Sequence, residues 1–254
     1  MSAATSSRPR FQATGPRRSF SAPAVATPVS RGRAAISALR SSTTILTYAR
    51  AGIADSEMPS DTTPRSVGAA ADELHRLLVA TEMAGPLILV GHSLGALIAL
   101  TFAAQRPQDL VGLVLVDATD INLNLDIEEP RLLADDGDRD DCMSFDVRAS
   151  ADEVIRSRRH LDVPTVVIAS RVDRWLEVDP EPWRPFTRLA LEERWQRHHQ
   201  SLAADLGATH KVARRGGHYV QKDDPTIVAE AIDNLIDAAR KRLAEGESTR
   251  GIGQ

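Results

Sequence analysis

The stretch LILVGHSLGALIAL, Leu87 to Leu100, carries the fold in its order of apolar run, turn and apolar run. Leu87 to Val90 is a short, unbroken apolar run of the kind buried on both faces of a parallel sheet, and Leu94 to Ala104 is a run of good helix formers. The wider apolar segment, Met83 to Ala104, is long enough to cross a bilayer, but Gly85, Pro86, Gly91, His92, Ser93 and Gly95 interrupt it, so it reads as strand, turn and helix. Between strand and helix lies Gly91-His92-Ser93-Leu94-Gly95, a G-x-S-x-G pentapeptide in the context of a nucleophile elbow. Its glycines permit a sharp turn in which Ser93 takes a strained backbone, exposes Oγ and places the Leu94 N–H beside it at the helix N-terminus.

On either side of this unit, strands and helices alternate. Thr43 to Tyr48 reads as a strand and Val67 to Thr81 as an amphipathic helix with Ala70, Leu74, Leu77 and Leu78 on its apolar face. Val111 to Val116 (VGLVLV), Val163 to Ile168 and His210 to Ala213 read as strands. Thr187 to Leu206 reads as a helix, and a last helix starts at Asp224 (N-cap) and Pro225. This rhythm predicts an α/β protein with a mostly parallel central sheet and helices on both faces, its early strands incomplete. Residues 1–42 read as an irregular, Arg- and Ser-rich head, and 43–254 as one domain. About 119–160 reads as an acidic, lid-like excursion too polar for core. Its DDGDRDD run lacks the carboxylate spacing of a calcium loop, so no metal is expected.

Composition bounds the function. The chain has 254 residues, 42% of them hydrophobic, and a net charge of −4, which suits one large globular domain. The single cysteine, Cys142, excludes an intramolecular disulfide or a Cys-based zinc cluster and points to a reducing, cytoplasmic setting. Eight arginines and no acid fall in residues 1–54, but few aromatics accompany them, so no nucleic-acid partner is expected. No apolar leader core occupies the first 22 residues, and no membrane partner is expected. Arg and Ala dominate over Lys, a bias of GC-rich bacterial genomes.

A serine hydroxyl is a weak nucleophile and needs a base, itself oriented by a third group. Of seven histidines, His218 in Gly216-Gly217-His218-Tyr219 follows the last predicted strand, where small neighbours let the imidazole lean over the sheet edge. His198 and His199 read as helix surface, and Trp175, Trp183 and Trp195 as packing residues. The orienting acid is assigned to Asp173, after the strand Val163 to Ile168; Asp117, which ends VGLVLVD, is its rival. A surface ion pair with Arg171 or Arg174 is the structural alternative for Asp173.

The segments TYARAGIADSE, LILVGHSLGALIAL, LVLVDAT, VPTVVIASRVD and GGHYVQKDDPTIV, with the order Ser93, Asp173, His218, resemble the α/β-hydrolase superfamily. The resemblance implies an eight-stranded, mostly parallel sheet, acyl-enzyme chemistry and no cofactor. The expected activity is hydrolysis of a small carboxylic ester. Ser93 would be nucleophile, His218 base, Asp173 orienting acid, and the Leu94 N–H an oxyanion donor. Two departures stand out. Residues 1–42 hold no His-Gly motif to supply a second oxyanion donor, which leaves a substitute near Val29 to Gly32 or a catalytically silent binding protein as alternatives. The family's Tyr-Asp-Arg-x-Gly-x-Gly segment stands here as Tyr48-Ala49-Arg50-Ala51-Gly52-Ile53-Ala54.

Overall fold

The computed structural model describes residues 11–14, 24–28, 32–52, 56–58, 60–61, 63–83, 85–129 and 145–250. Among them are seven strands: β1 Phe11–Thr14, β2 Ala24–Pro28, β3 Ile45–Tyr48, β4 Leu87–His92, β5 Leu110–Val116, β6 Thr165–Ala169 and β7 Thr209–Val212. They form one sheet of order β1-β3-β2-β4-β5-β6-β7. Every pairing is parallel except that of β1 with β3. The α/β class and the parallel sheet expected from the alternation are therefore found.

Side chains leave a strand alternately to opposite faces, and the central strands are apolar on both because both faces are covered. Leu87 and Leu89 of β4 and Leu113 and Leu115 of β5 enter one core, with helices α2 (Val67–Ala80), α3 (Leu94–Gln105), α5 (Val147–Ser157) and α6 (Arg188–Leu206). Ile88, Val90, Val114 and Val116 enter the opposite core, with α1 (Arg33–Ser37), α7 (Val220–Asp223) and α8 (Pro225–Arg250). Helix α3 is buried nearly all round, which is why its sequence carries no polar stripe.

Two sequence expectations change. The head is not irregular throughout: β1, β2 and α1 lie within it, and β2 is an inner strand between β3 and β4. At four and five residues, β1 and β2 are too short for an alternation that would announce them. The excursion also contributes to the core at both ends. Asp120 caps α4 (Ile121–Asp126) and Asp146 caps α5, whose Val147, Ala151 and Val154 pack against α2 and α3. The acidic middle, 130–144, with Cys142, lies outside the described residues. Asp224 stands at the N-cap position of α8, as expected, and its Oδ2 accepts from the Arg214 N–H at 3.0 Å, tying the loop after β7 to α8.

Candidate active site

Parallel strands β4, β5, β6 and β7 lie in that order across the sheet, and the chemistry-bearing residues follow β4, β5 and β7. Ser93 follows β4 with φ 54° and ψ −124°, a positive-φ backbone that is strained for a residue with a Cβ. The strain is held by packing. Its N–H donates to the Val116 carbonyl at 3.0 Å, and its carbonyl accepts from Ala96 N–H at 3.0 Å. A Cβ on Gly91 would run into the Gly95 carbonyl oxygen and stand 2.6 Å from Ala96 Cα, so only glycine lets the helix return this close to the strand. Ser93 Oγ is half-buried and hydrogen-bonds Thr119 Oγ1 at 3.2 Å. Leu94 is the first residue of α3, where an N–H has no partner within the helix.

His218 sits where the sequence puts it, in the loop after β7, and is 8% exposed. Its Nδ1 bonds Asp117 Oδ2 at 2.8 Å. The carboxylate can only accept, so Nδ1–H donates, and this selects the tautomer whose Nε2 carries a lone pair. The neighbour of the serine braces this loop: His92 Nε2–H donates to the His218 carbonyl at 2.7 Å, and the two rings lie 4.4 Å apart. Burial, with the His218 charge, holds His92 neutral by lowering its pKa to about 3.

The carboxylate that meets His218 is not the one assigned from the sequence. Asp117, first residue after β5, carries the bond to His218; Asp173 is exposed at the N-cap of a short 3-10 turn, Arg174–Glu177, with φ 70°. No hydrogen bond joins Asp173 to His218 among the described residues. The ion pairs weighed for Asp173 go elsewhere, because Arg171 pairs with Glu177, and Arg174 turns inward to Asp117. Both aspartates follow parallel strands, so strand position alone does not separate them. Nor does a positive φ, which both share; what separates them is that the Asp117 N–H donates to the Ile168 carbonyl at 2.7 Å, which seats its carboxylate between β5 and β6, while Asp173 stays exposed.

Asp117 is fully buried and well satisfied. Oδ1 accepts from Ser170 N–H at 2.7 Å and Trp195 Nε1–H at 2.9 Å, while Arg174 Nη2 lies 3.6 Å from Oδ2. Burial works against its charge, but Arg174, the His218 hydrogen bond and the neighbouring imidazoles outweigh it and hold the carboxyl far below the usual range.

His198 and His199, read as surface, are buried at 8% and 0% exposure. They fall on the stripe Leu191, Trp195, His198, His199, Leu202, Ala203, Leu206, whose helical spacing was the available signal. His199 Nδ1–H donates to the Trp195 carbonyl at 2.9 Å, and its Nε2 stands 3.7 Å from Asp117 Oδ1. The three tryptophans are core, as expected, stacked edge-on at 5.0 and 5.3 Å around Trp175. Of the substitute oxyanion segment, Val29 to Arg31 lies outside the described residues, and Gly32 caps α1.

The elbow at Ser93 and the His218–Asp117 pair, set at the ends of adjacent parallel strands, agree with the family comparison. The model of the alpha/beta hydrolase family matches residues 13–231. The chain belongs to the alpha/beta hydrolase family. Protein YqjL of Bacillus subtilis (strain 168) is 26% identical over 209 residues, covering 79% of this chain and 76% of that protein. Among solved structures, the enol-lactonase of Burkholderia xenovorans LB400 has a TM-score of 0.62 at 16% identity, covering 92% of this chain and 98% of its own. A putative aryl esterase of Burkholderia cenocepacia has a TM-score of 0.62 at 17% identity, covering 90% and 94%. At such identities the structures bear on the fold alone. The hydrolase fold implies a small-molecule substrate. Among the described residues, no helix is long and apolar enough to cross a membrane.

Proposed function

We propose that this alpha/beta hydrolase family member is a serine hydrolase that cleaves small carboxylic esters through an acyl-enzyme, with Ser93 as nucleophile, His218 as base and Asp117 as orienting acid. The observation that carries the reading is the 2.8 Å bond from His218 Nδ1–H to a buried Asp117, with the His218 carbonyl in turn bonded by His92, the residue before Ser93 at its φ of 54°. In the first half-reaction His218 Nε2 takes the Ser93 Oγ proton as the oxygen attacks the ester carbonyl, and the Leu94 N–H helps hold the oxyanion. His218 then returns the proton to the leaving alkoxide, while Asp117 stays ionised and stabilises the imidazolium. Water, activated by the same histidine, releases the acid. The aryl esterase and enol-lactonase of the same fold favour an ester carbonyl as the target by analogy.

Labelling with a fluorophosphonate tests this, because phosphonylation needs an activated serine and little substrate recognition. The wild-type chain is expected to label, Ser93→Ala and His218→Ala are not, and a panel of short-chain p-nitrophenyl esters should be hydrolysed with the same dependence. A folded wild-type chain that neither labels nor hydrolyses any ester would instead support a silent, oxyanion-deficient binding protein.

A further inference from the structure

The loop after β6 does not give its aspartate to the histidine; it gives the next residue to the acid. Arg174 is 3% exposed, and Trp175 and Trp195 lie beside its guanidinium at 4.4 and 4.8 Å from their ring centres. Its Nη2 faces Asp117 Oδ2, the oxygen that accepts from His218. We propose that Arg174 is a positioning residue that holds Asp117 ionised and in place and thereby sets the pH range in which His218 is unprotonated and able to act as base. This inference rests on the serine hydrolase reading above.

Charge balance is the physical reason. A carboxylate with no exposed surface needs a compensating charge. If His218 alone supplied it, the resting pair would favour carboxylate and imidazolium, and an imidazolium cannot accept the Ser93 proton. A permanent cation on Asp117 removes that drive while the Asp117 hydrogen bond still fixes the imidazole tautomer. The other groups facing the pair do not supply a standing positive charge of this kind. From β4 comes His92, kept neutral by burial; from α6 come His199, likewise lowered by burial, and Glu192, whose Oε2 accepts from the Trp175 N–H at 3.1 Å. Arginine suits the slot because its planar, always charged guanidinium stacks on indole faces, which a lysine ammonium does less well.

The test is the pH dependence of the fluorophosphonate labelling rate in the full chain, for wild type, Arg174→Met and Arg174→Lys, with near-ultraviolet circular dichroism of the tryptophans reporting folding. Arg174→Met should move the acidic limb upward by about one pH unit, so that on the acidic side of the limb labelling falls about tenfold relative to wild type at the same pH. Arg174→Lys, which keeps the charge, should leave the limb within about half a unit of wild type. Should Arg174→Met fail to fold, Arg174→Gln takes its place beside Arg174→Lys. A folded neutral variant with an unmoved limb, or lysine and neutral variants with the same limb, would overturn the proposal and leave Arg174 a packing residue. Absence of labelling in wild type at every pH would instead overturn the serine hydrolase reading, so the two failures are distinct.

Discussion

Replacing Asp117 by asparagine, with Asp173→Asn as its counterpart, separates the two aspartates that follow adjacent strands. In Asp117→Asn the amide oxygen can still accept from Ser170 N–H and Trp195 Nε1–H on the Oδ1 side, where the present bonds are 2.7 and 2.9 Å. The amide NH2 then faces His218 Nδ1, now 2.8 Å from Oδ2, and an N–H cannot accept from an N–H. His218 therefore turns to the other tautomer, with its proton on Nε2, and loses the lone pair that takes the Ser93 proton. The comparable change in a chymotrypsin-like triad costs about ten-thousand-fold in turnover, about 5.5 kcal/mol at about 1.36 kcal/mol per decade. The buried Arg174 also loses the Asp117 countercharge, which costs about 3–5 kcal/mol of stability. For a chain of this size that lowers the melting temperature by about 6–20 °C. Asp173→Asn, at an exposed turn, should change both quantities little, within about twofold in rate. The assay is p-nitrophenyl acetate hydrolysis at pH 8 well below the variant's melting transition. If Asp173→Asn loses as much rate as is expected of Asp117→Asn, while folded Asp117→Asn stays near wild type, the geometric reasoning is refuted.

Two further predictions concern stability. Gly91→Ala drives a methyl into the Gly95 carbonyl oxygen and to 2.6 Å from Ala96 Cα, backbone that cannot yield, and should destabilise the chain by about 3 kcal/mol or more; a melting temperature within about 3 °C of wild type would contradict this. The buried His198 titrates at about 3 because burial and the neighbouring His199 disfavour its charge. The unfolded chain, whose imidazoles bind protons from about pH 6.5 downward, thus gains protons that the folded chain refuses. Stability should be full above about pH 6.5 and fall as pH drops from there toward 3, by about 2 kcal/mol at pH 5 from this residue alone. His199, lowered in the same direction, adds to the loss. Urea titrations at pH 7.5, 6 and 5 read this directly, and His198→Gln, if folded, should flatten the dependence.

Local sequence was enough to read the alternation and the sharp strand-to-helix turn at Ser93. Leu87 to Val90 followed by Gly91-His92-Ser93-Leu94-Gly95 can satisfy its apolar content and its glycines in few ways, since local sterics of the turn and two-faced burial of the strand act within a dozen residues. The place of His218, in the loop beyond the last strand, was legible for the same reason. Which carboxylate meets it was decided by contacts between distant segments. Asp117 and Asp173 both lie far from His218 in sequence, obey the same strand-end rule and share a positive φ; the choice falls to which of them packs inward. That depends on Ile168, Ser170 and Trp195, partners remote from Asp117 along the chain. The inward turn of Arg174 is of the same kind, because a charged residue becomes buried only when aromatic faces and a carboxylate from other elements meet it. The strands of the head were hidden too. β2 gains its hydrogen bonds from β3 and β4, and its five residues are too few for a clear alternation to mark it by themselves.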